Sequence, residues 1–87
     1  MRDIHFLPDA WVAYTWWQGQ DRKTLKRINT LIEAAACDPF EGLGKPEPLT
    51  GNLTGYWSRR IDGAHRLVYR ATEREVVVIA CRFHYDD

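Results

Sequence analysis

The sequence predicts a single α+β domain in which a hairpin of two helices packs on a small, mostly antiparallel β-sheet, in the order β-α-α-β-β-β. Apolar residues recur at helical spacing in the first part of the chain, whereas polar and apolar residues alternate in the last third. A segment rich in glycine and proline separates these two parts. A chain of 87 residues fits one domain, assigned to residues 1–87, and its four Trp, four Tyr and three Phe supply a core.

The first helix follows a short strand at residues 4–7. Asp9 is the expected N-cap, because its carboxylate can accept the free amides of the first turn. The aromatic residues of residues 10–18 recur near helical spacing, and Gly19 is expected to end this helix.

The second helix is predicted at residues 22–37, with Asp21 as its N-cap. Its apolar residues fall on one face, as expected of a helix that packs on a core. These residues are Leu25, Ile28, Leu31, Ile32 and Ala35. The short connection between the two helices predicts an antiparallel hairpin.

Three strands make up the last third of the chain, after a predicted loop at residues 40–55. Asp62 and Gly63 are a strong turn signal between the first two strands. The last strand is the most apolar and is expected inside the sheet. The predicted strands are residues 56–61, 65–71 and 75–84.

Strand alternation divides the side chains between the two faces of the sheet. In the last strand we expect one set to face the core: Ile79, Cys81, Phe83 and Tyr85. The other face would then gather a basic surface: Arg60, Arg66, Arg82 and His84. Although the net charge is zero, residues 55–85 contain six Arg and three acids, which is typical of a nucleic-acid site.

This surface, together with Glu47, suits RNA cleavage. Glu47 lies between Pro46 and Pro48, which restrict the backbone and hold the carboxylate in place. RNA supplies its own nucleophile, the 2′-hydroxyl, so the protein needs a base, an acid and a cation for the phosphate. This chemistry requires no metal or other cofactor, and the three His do not have metal-ligand spacing.

Each candidate also has an ordinary structural interpretation. Glu47 can be a solvated loop carboxylate, Arg66 a surface residue paired with Asp62 or Glu73, and His84 an exposed residue near the chain end. His5 and His65 are interpreted as structural. Residue spacing alone therefore supports only a small α+β domain with a basic face, and it leaves RNA binding open.

The remaining features point to the cytoplasm. No apolar stretch is long enough to cross a membrane, and the N-terminus has acids where a signal peptide has an apolar run. Cys37 and Cys81 are isolated in sequence, so we expect two reduced thiols and no disulfide.

Four ordered motifs resemble those of the Txe/YoeB toxins of bacterial type II toxin–antitoxin systems. They are PFEGLGKPEPL at residues 39–49, LTGYWSRRI at 53–61, HRLVY at 65–69 and ACRFHY at 80–85. The resemblance covers nearly the whole chain. It implies a RelE-like, microbial-ribonuclease-like fold and a metal-independent endoribonuclease that cleaves mRNA in the ribosomal A site.

The motif match assigns roles to individual residues. Glu47 would be the general base, Arg66 the phosphate-stabilising cation and His84 the general acid. Tyr85 would support the site or stack on a base, and Arg60 would bind phosphate. Family members often have a lysine at the position of Thr50; two consequences are open, compensation for its charge by Lys45 or Arg59, or a lower rate. Arg82 is expected to bind RNA. The acidic pair Asp86 and Asp87 also departs from the family pattern.

The resemblance further implies partners. These are a YefM-like antitoxin, the bacterial ribosome with its mRNA, operator DNA only through the antitoxin complex, and a second copy of the chain in a homodimer; no membrane partner is expected. Three other functions remain open from the sequence. They are a translation blocker that binds the ribosome without cleaving, a general ribonuclease that acts without the ribosome, and a DNA-binding module.

Overall fold

The computed structural model describes residues 1–83, and it confirms the predicted α+β class. The elements are β1 (Asp3–Phe6), α1 (Pro8–Gln20), α2 (Arg22–Cys37), β2 (Glu47–Pro48), a 3₁₀ turn (Gly51–Leu53), β3 (Trp57–Arg60), β4 (Arg66–Ala71) and β5 (Glu75–Ala80). No helix in this part of the chain is long and apolar enough to cross a membrane.

The five strands form one mixed sheet in the order β1-β5-β4-β3-β2. β1 pairs with β5 in parallel, and all the other described pairs are antiparallel. β5 therefore lies inside the sheet, as its apolar sequence predicts. β2 was not predicted, because two residues beside a proline give no periodic signal and the strand exists only through its pairing with β3.

α1 is longer at both ends than predicted. It begins at Pro8, whose ring fixes φ near the helical value, so Asp9 lies inside the first turn and is not the cap. Gly19 does not end the helix, which continues to Gln20. The first residue outside α1 is Asp21, which adopts an extended backbone.

Asp21 caps α2 as predicted. Its carboxylate accepts hydrogen bonds from the Lys23 and Thr24 amides at 3.0 and 3.2 Å and from the Thr24 hydroxyl at 2.8 Å. These bonds favour the charged carboxylate, and the Thr24 hydroxyl is the main reason that the pKa of Asp21 is lowered. With a single residue between them, α1 and α2 pack as a hairpin, linked by the Tyr14 hydroxyl donating to Asn29 Oδ1 at 2.6 Å.

The core lies between the helical hairpin and one face of the sheet. The predicted apolar face of α2 is confirmed: Leu25 is partly buried and the other four residues are buried. The sheet contributes Leu67, Tyr69, Val76 and Val78 to the same cluster, and Cys81, directly after β5, also belongs to it.

A β-bulge in β5 changes the predicted faces. Val78 pairs with Tyr69, but Ala80 pairs with Val68, so Ile79 is an extra residue without a partner in β4. A bulge of one residue inverts the alternation beyond it.

The predicted core face of the last strand is therefore wrong before the bulge. Val78 is fully buried in the core, whereas Ile79 is only partly buried; beyond the bulge, Cys81 faces the core as predicted. β5 also ends at Ala80, earlier than expected, and Phe83 has a φ of 67° and is mostly exposed. Tyr85 lies outside the described residues.

Candidate active site

The sheet face opposite the helices, called the open face below, gathers three of the predicted site residues. Paired residues on neighbouring strands share a face, and residues two apart along a strand share it as well. Glu47 pairs with Ser58, and two residues beyond Ser58 is Arg60, which pairs with Arg66. Glu47, Arg60 and Arg66 therefore lie on the open face; the sequence predicts this for the two arginines, and the pairing of β2 with β3 adds Glu47.

Arg60 and Arg66 are direct cross-strand partners at the end of the β3–β4 hairpin. Two like charges in this arrangement repel each other unless an anion neutralises them. Within residues 1–83 no carboxylate lies within ion-pair distance of either arginine, and the one contact of that kind joins His5 Nδ1 and Glu75 at 3.1 Å. The two guanidinium groups thus form a site to which a phosphate would be attracted.

The Arg66 side chain is tied to the turn that precedes it. Its Nη1 donates to the Asp62 carbonyl oxygen at 3.1 Å and more weakly to that of His65 at 3.5 Å. The Asp62 carboxylate instead accepts the Ala64 and His65 amides, both at 2.8 Å, so it stabilises the turn and does not pair with Arg66. The ordinary interpretation of Arg66, as the partner of Asp62 or Glu73 in an ion pair, is not what the structure shows.

Glu47 is exposed on β2, at the edge of the sheet. Hydrogen bonds fix the chain on both sides of it: the Arg60 amide donates to the Gly44 carbonyl at 2.7 Å, and the Leu49 amide donates to the Tyr56 carbonyl at 2.9 Å. Two strand spacings and two residues along the strand separate Glu47 from Arg66, or about 12 Å between Cα atoms. Both side chains can reach a phosphodiester placed between them.

Lys45 and Thr50 flank β2. Lys45 is exposed and has a φ of 53°, an uncommon value for a residue with a side chain. Thr50, the residue at the position of a family lysine, is the N-cap of the 3₁₀ turn. Lys45 is thus an exposed cation two residues before Glu47 in the sequence.

Arg59 is not on the open face. Adjacent residues of a strand point to opposite faces, and Arg59 is fully buried on the core side, whereas Arg60 is exposed. Its guanidinium donates to the Tyr69 hydroxyl and to backbone carbonyl oxygens of the preceding loop. No atom of Arg59 is accessible to RNA in this structure, so compensation for Thr50 by Arg59 has no structural basis.

Arg82 does not join the basic surface either. Its guanidinium carbon lies 3.5 Å from the centroid of the Trp16 ring in α1 and 4.5 Å from that of Phe83. Its Nε is buried and has no hydrogen-bond partner among the described residues. β5 ends at Ala80, so Arg82 lies beyond the strand and its side chain contacts α1, which strand alternation does not predict.

Two predicted residues, His84 and Tyr85, lie outside the described residues. Phe83, which precedes them, is anchored at the site: its carbonyl accepts the Arg66 amide at 2.9 Å, and its amide donates to His65 Nδ1 at 2.7 Å. The His65 ring also packs edge-on against Trp17. His65 is thus structural as expected, but its contact with Phe83 was not predicted, since it depends on pairing between distant segments.

Burial shifts the pKa of two core groups in favour of their neutral forms. Burial raises the pKa of the Tyr69 hydroxyl, an effect that the nearby Arg59 guanidinium opposes. Burial also raises the pKa of the Cys81 thiol from 9.0 to about 11. Cys37 and Cys81 are both free, the first exposed and the second buried. Residues 1–83 contain no group of three His, Cys, Asp or Glu side chains that could hold a metal ion.

Comparisons with known proteins agree on one family for this chain. Residues 6–85 match the sequence profile of the "YoeB-like toxin of bacterial type II toxin-antitoxin system". Toxin YoeB of Synechocystis sp. is 58% identical over 82 residues, which are 94% of this chain and 95% of that protein. Toxin RelK of Mycobacterium tuberculosis is 56% identical over 85 residues, or 98% of this chain and 100% of that protein.

Solved structures share the whole fold. The YoeB/ParE toxin from Agrobacterium tumefaciens superposes with a TM-score of 0.91 at 47% identity, covering 95% of this chain and 99% of the other. The YoeB dimer from Staphylococcus aureus gives 0.89 at 42% identity, covering 97% and 98%. The YoeB–YefM complex from the same organism gives 0.88 at 41% identity, covering 98% and 99%.

Proposed function

Because the chain belongs to the YoeB-like toxins of bacterial type II toxin–antitoxin systems, we propose that it is an endoribonuclease that cuts mRNA in the ribosomal A site. One observation carries this proposal: the cross-strand pair of Arg60 and Arg66 shares the open face with the exposed carboxylate of Glu47. When RNA is cleaved by its own 2′-hydroxyl, a base must remove the proton of that hydroxyl and cations must stabilise the charge on the phosphate. Glu47 and the two arginines can supply these groups.

Glu47 is the general base in this proposal. Its carboxylate takes the proton of the 2′-hydroxyl, and the 2′-oxygen then attacks the adjacent phosphorus. Arg66 stabilises the negative charge that develops on the phosphate oxygens, and its bond to the Asp62 carbonyl holds the guanidinium in place before the substrate arrives. Arg60 binds the phosphate beside it, and Lys45 adds positive charge near Glu47.

His84 is the general acid that protonates the leaving 5′-oxygen, and Tyr85 supports the site or stacks on a base. What supports these roles is the sequence motif, together with the anchoring of Phe83 to Arg66 and His65. The reaction needs no metal ion, because the 2′-hydroxyl is the nucleophile and both proton transfers use side chains.

The partners are proposed from relatives. The S. aureus structures are described as a YoeB–YefM complex and a YoeB dimer, so we propose a YefM-like antitoxin and a homodimer for this chain as well. Operator DNA would be bound only through the antitoxin complex, and the place of action is the cytoplasm, where the ribosome and mRNA are found.

Primer extension on a defined mRNA in a translating ribosome system tests the proposal. The wild type should create a new 3′ end at the A-site codon, and controls with EDTA are run on RNA without ribosomes. Arg66→Ala should reduce cleavage about 10²-fold or more.

Arg74→Ala is the matched control, because Arg74 is exposed in the turn between β4 and β5 and lies away from the β3–β4 turn. It removes the same charge and should cleave like the wild type. Stalled ribosomes with intact mRNA in every sample would instead support a translation blocker that does not cleave. Equal cutting of RNA without ribosomes would support a general ribonuclease.

A further inference from the structure

Arg59 is the most unusual residue of the core, since it is a fully buried charged side chain. Its Nε donates to the Tyr69 hydroxyl at 2.9 Å, and its Nη1 donates to the Leu43 carbonyl at 2.9 Å. Its Nη2 donates to the carbonyls of Glu41, at 3.0 Å, and of Asp38. Among the described residues no carboxylate forms an ion pair with it, so backbone dipoles compensate the charge.

Tyr69 completes this network from the neighbouring strand. Its hydroxyl, which accepts from Arg59, donates in turn to the Pro39 carbonyl at 2.6 Å. The two side chains therefore hold four carbonyl oxygens of residues 38–44, called the anchored loop below. The planar guanidinium fixes the direction of its donors, which a flexible ammonium cannot do.

The anchored loop leads directly to Glu47. At its last residue, Gly44, the loop is in close contact with α2 and β3. A Cβ at this position would lie 2.6 Å from Leu31 Cδ2 and 3.2 Å from Arg59 Cβ. Three residues later the chain reaches Glu47 on β2, which pairs with β3 over two residues only. So short a strand does little to fix the carboxylate by itself, and its position depends on the loop before it.

We propose that Arg59 and Tyr69 are positioning residues for Glu47, which act on the reaction through the anchored loop without contacting RNA. This inference rests on the proposed function. It explains why a charged residue occupies the core: a hydrophobic residue of similar size could fill the space, but it could not hold the three carbonyl oxygens that Arg59 binds in a defined arrangement. A displacement of about 1 Å at a catalytic group can cost about 10²-fold in rate.

Tyr69→Phe is the decisive variant, because it removes one hydroxyl and keeps the ring in the core. Tyr14→Phe is its matched control: it also removes one hydrogen-bonded hydroxyl, but from the helical hairpin. Both are compared with the wild type in ribosome-dependent mRNA cleavage, at a temperature at which circular dichroism shows every protein folded. Tyr69→Phe should lower the rate at saturating toxin about tenfold and change the half-saturating toxin concentration less than about twofold.

Arg59→Lys keeps the charge but loses the planar guanidinium with its fixed donors. It should therefore lower the cleavage rate at saturating toxin more than Tyr69→Phe does. Hydrogen exchange provides an independent measurement of the loop. Amides of residues 40–49 should exchange faster in Tyr69→Phe than in Tyr14→Phe, while those of α2 exchange alike.

Each remaining outcome has one meaning. If the wild type cleaves and Tyr69→Phe cleaves as fast as Tyr14→Phe, the positioning role is wrong and the proposed function stands, whether or not loop exchange changes. If the wild type does not cleave at all, the proposed function fails and the positioning role fails with it. A Tyr69→Phe variant that is impaired only through a higher half-saturating concentration would also contradict the inference.

Discussion

Gly44 illustrates how one residue can control the approach of a loop to the sheet. Its φ is 85°, a region that residues with a Cβ rarely adopt, and an added Cβ would meet both α2 and β3. Gly19 differs in both respects, because it is helical and has no heavy atom within 4 Å of the position of a Cβ.

We predict that Gly44→Ala lowers the free energy of unfolding by about 1–3 kcal/mol, through strain and overpacking. Gly19→Ala should raise it by about 0.5–1 kcal/mol, because alanine favours the helix. Urea denaturation of both variants measures the difference. Equal stabilities for the two variants would mean that the loop can move away from Leu31 at no cost.

The two cysteines should differ sharply in reactivity. Cys37 is exposed, whereas Cys81 is buried and burial raises its pKa to about 11. A thiol-reactive chromogenic reagent at pH 8 should therefore modify one thiol in the native protein and both after unfolding. Rapid modification of both thiols in the native protein would contradict the burial of Cys81.

The same shift has a consequence for stability at alkaline pH. A thiol whose pKa is higher in the folded protein stabilises the fold fully below pH 9, and this contribution is lost as the pH rises from 9 to about 11. Cys81→Ala should lose less stability than the wild type over this range in pH-dependent thermal melts.

At the scale of the elements, the features of α2 that local sequence sets were predicted correctly, whereas features set by pairing between distant strands were not. Asp21 and the apolar face of α2 follow from local sequence, and both predictions are confirmed. The extra residue Ile79 and the two-residue strand β2 depend on pairing with distant strands, which local periodicity does not encode. Arg82 was misplaced because β5 ends at Ala80 and the Arg82 side chain packs on Trp16 of α1.

The N-cap of α2, Asp21, should make the stability of the protein decrease in acid. Because hydrogen bonds lower the pKa of Asp21 below its ordinary value of 3.8, the carboxylate stabilises the fold above that pH, and the contribution is lost as the pH falls through the lowered value. Thermal melts of Asp21→Ala should show a lower Tm than the wild type at pH 6. This deficit should shrink below pH 3.8, whereas Asp21→Asn, which keeps an acceptor oxygen, should stay close to the wild type at pH 6. A deficit for Asp21→Ala that is independent of pH would show that the charge is not involved.

At the scale of the whole molecule, the sheet separates two roles. Its core face binds the helical hairpin and holds Arg59 with the anchored loop, while its open face presents Glu47, Arg60 and Arg66. Alternation and pairing of the predicted strands were enough to group Arg60 with Arg66 from the sequence, whereas Glu47 was expected in a loop and joins them only through the pairing of β2 with β3. Alternation also implies that Arg59 and Arg60, as adjacent residues of one strand, point to opposite faces. Arg59 was nevertheless expected near the site, because arginine is charged and is usually exposed.

The central claim is that the open face cleaves RNA through the 2′-hydroxyl of the substrate itself. The most direct test is the ribosome-dependent cleavage of two messages that differ in one position, with a ribose or a 2′-deoxyribose at the nucleotide before the scissile phosphate. The account predicts that the wild-type protein cuts the ribose message and leaves a 2′,3′-cyclic phosphate, and that the deoxyribose message stays intact at that position. Equal cleavage of both messages would contradict it, because the nucleophile would then have to be water.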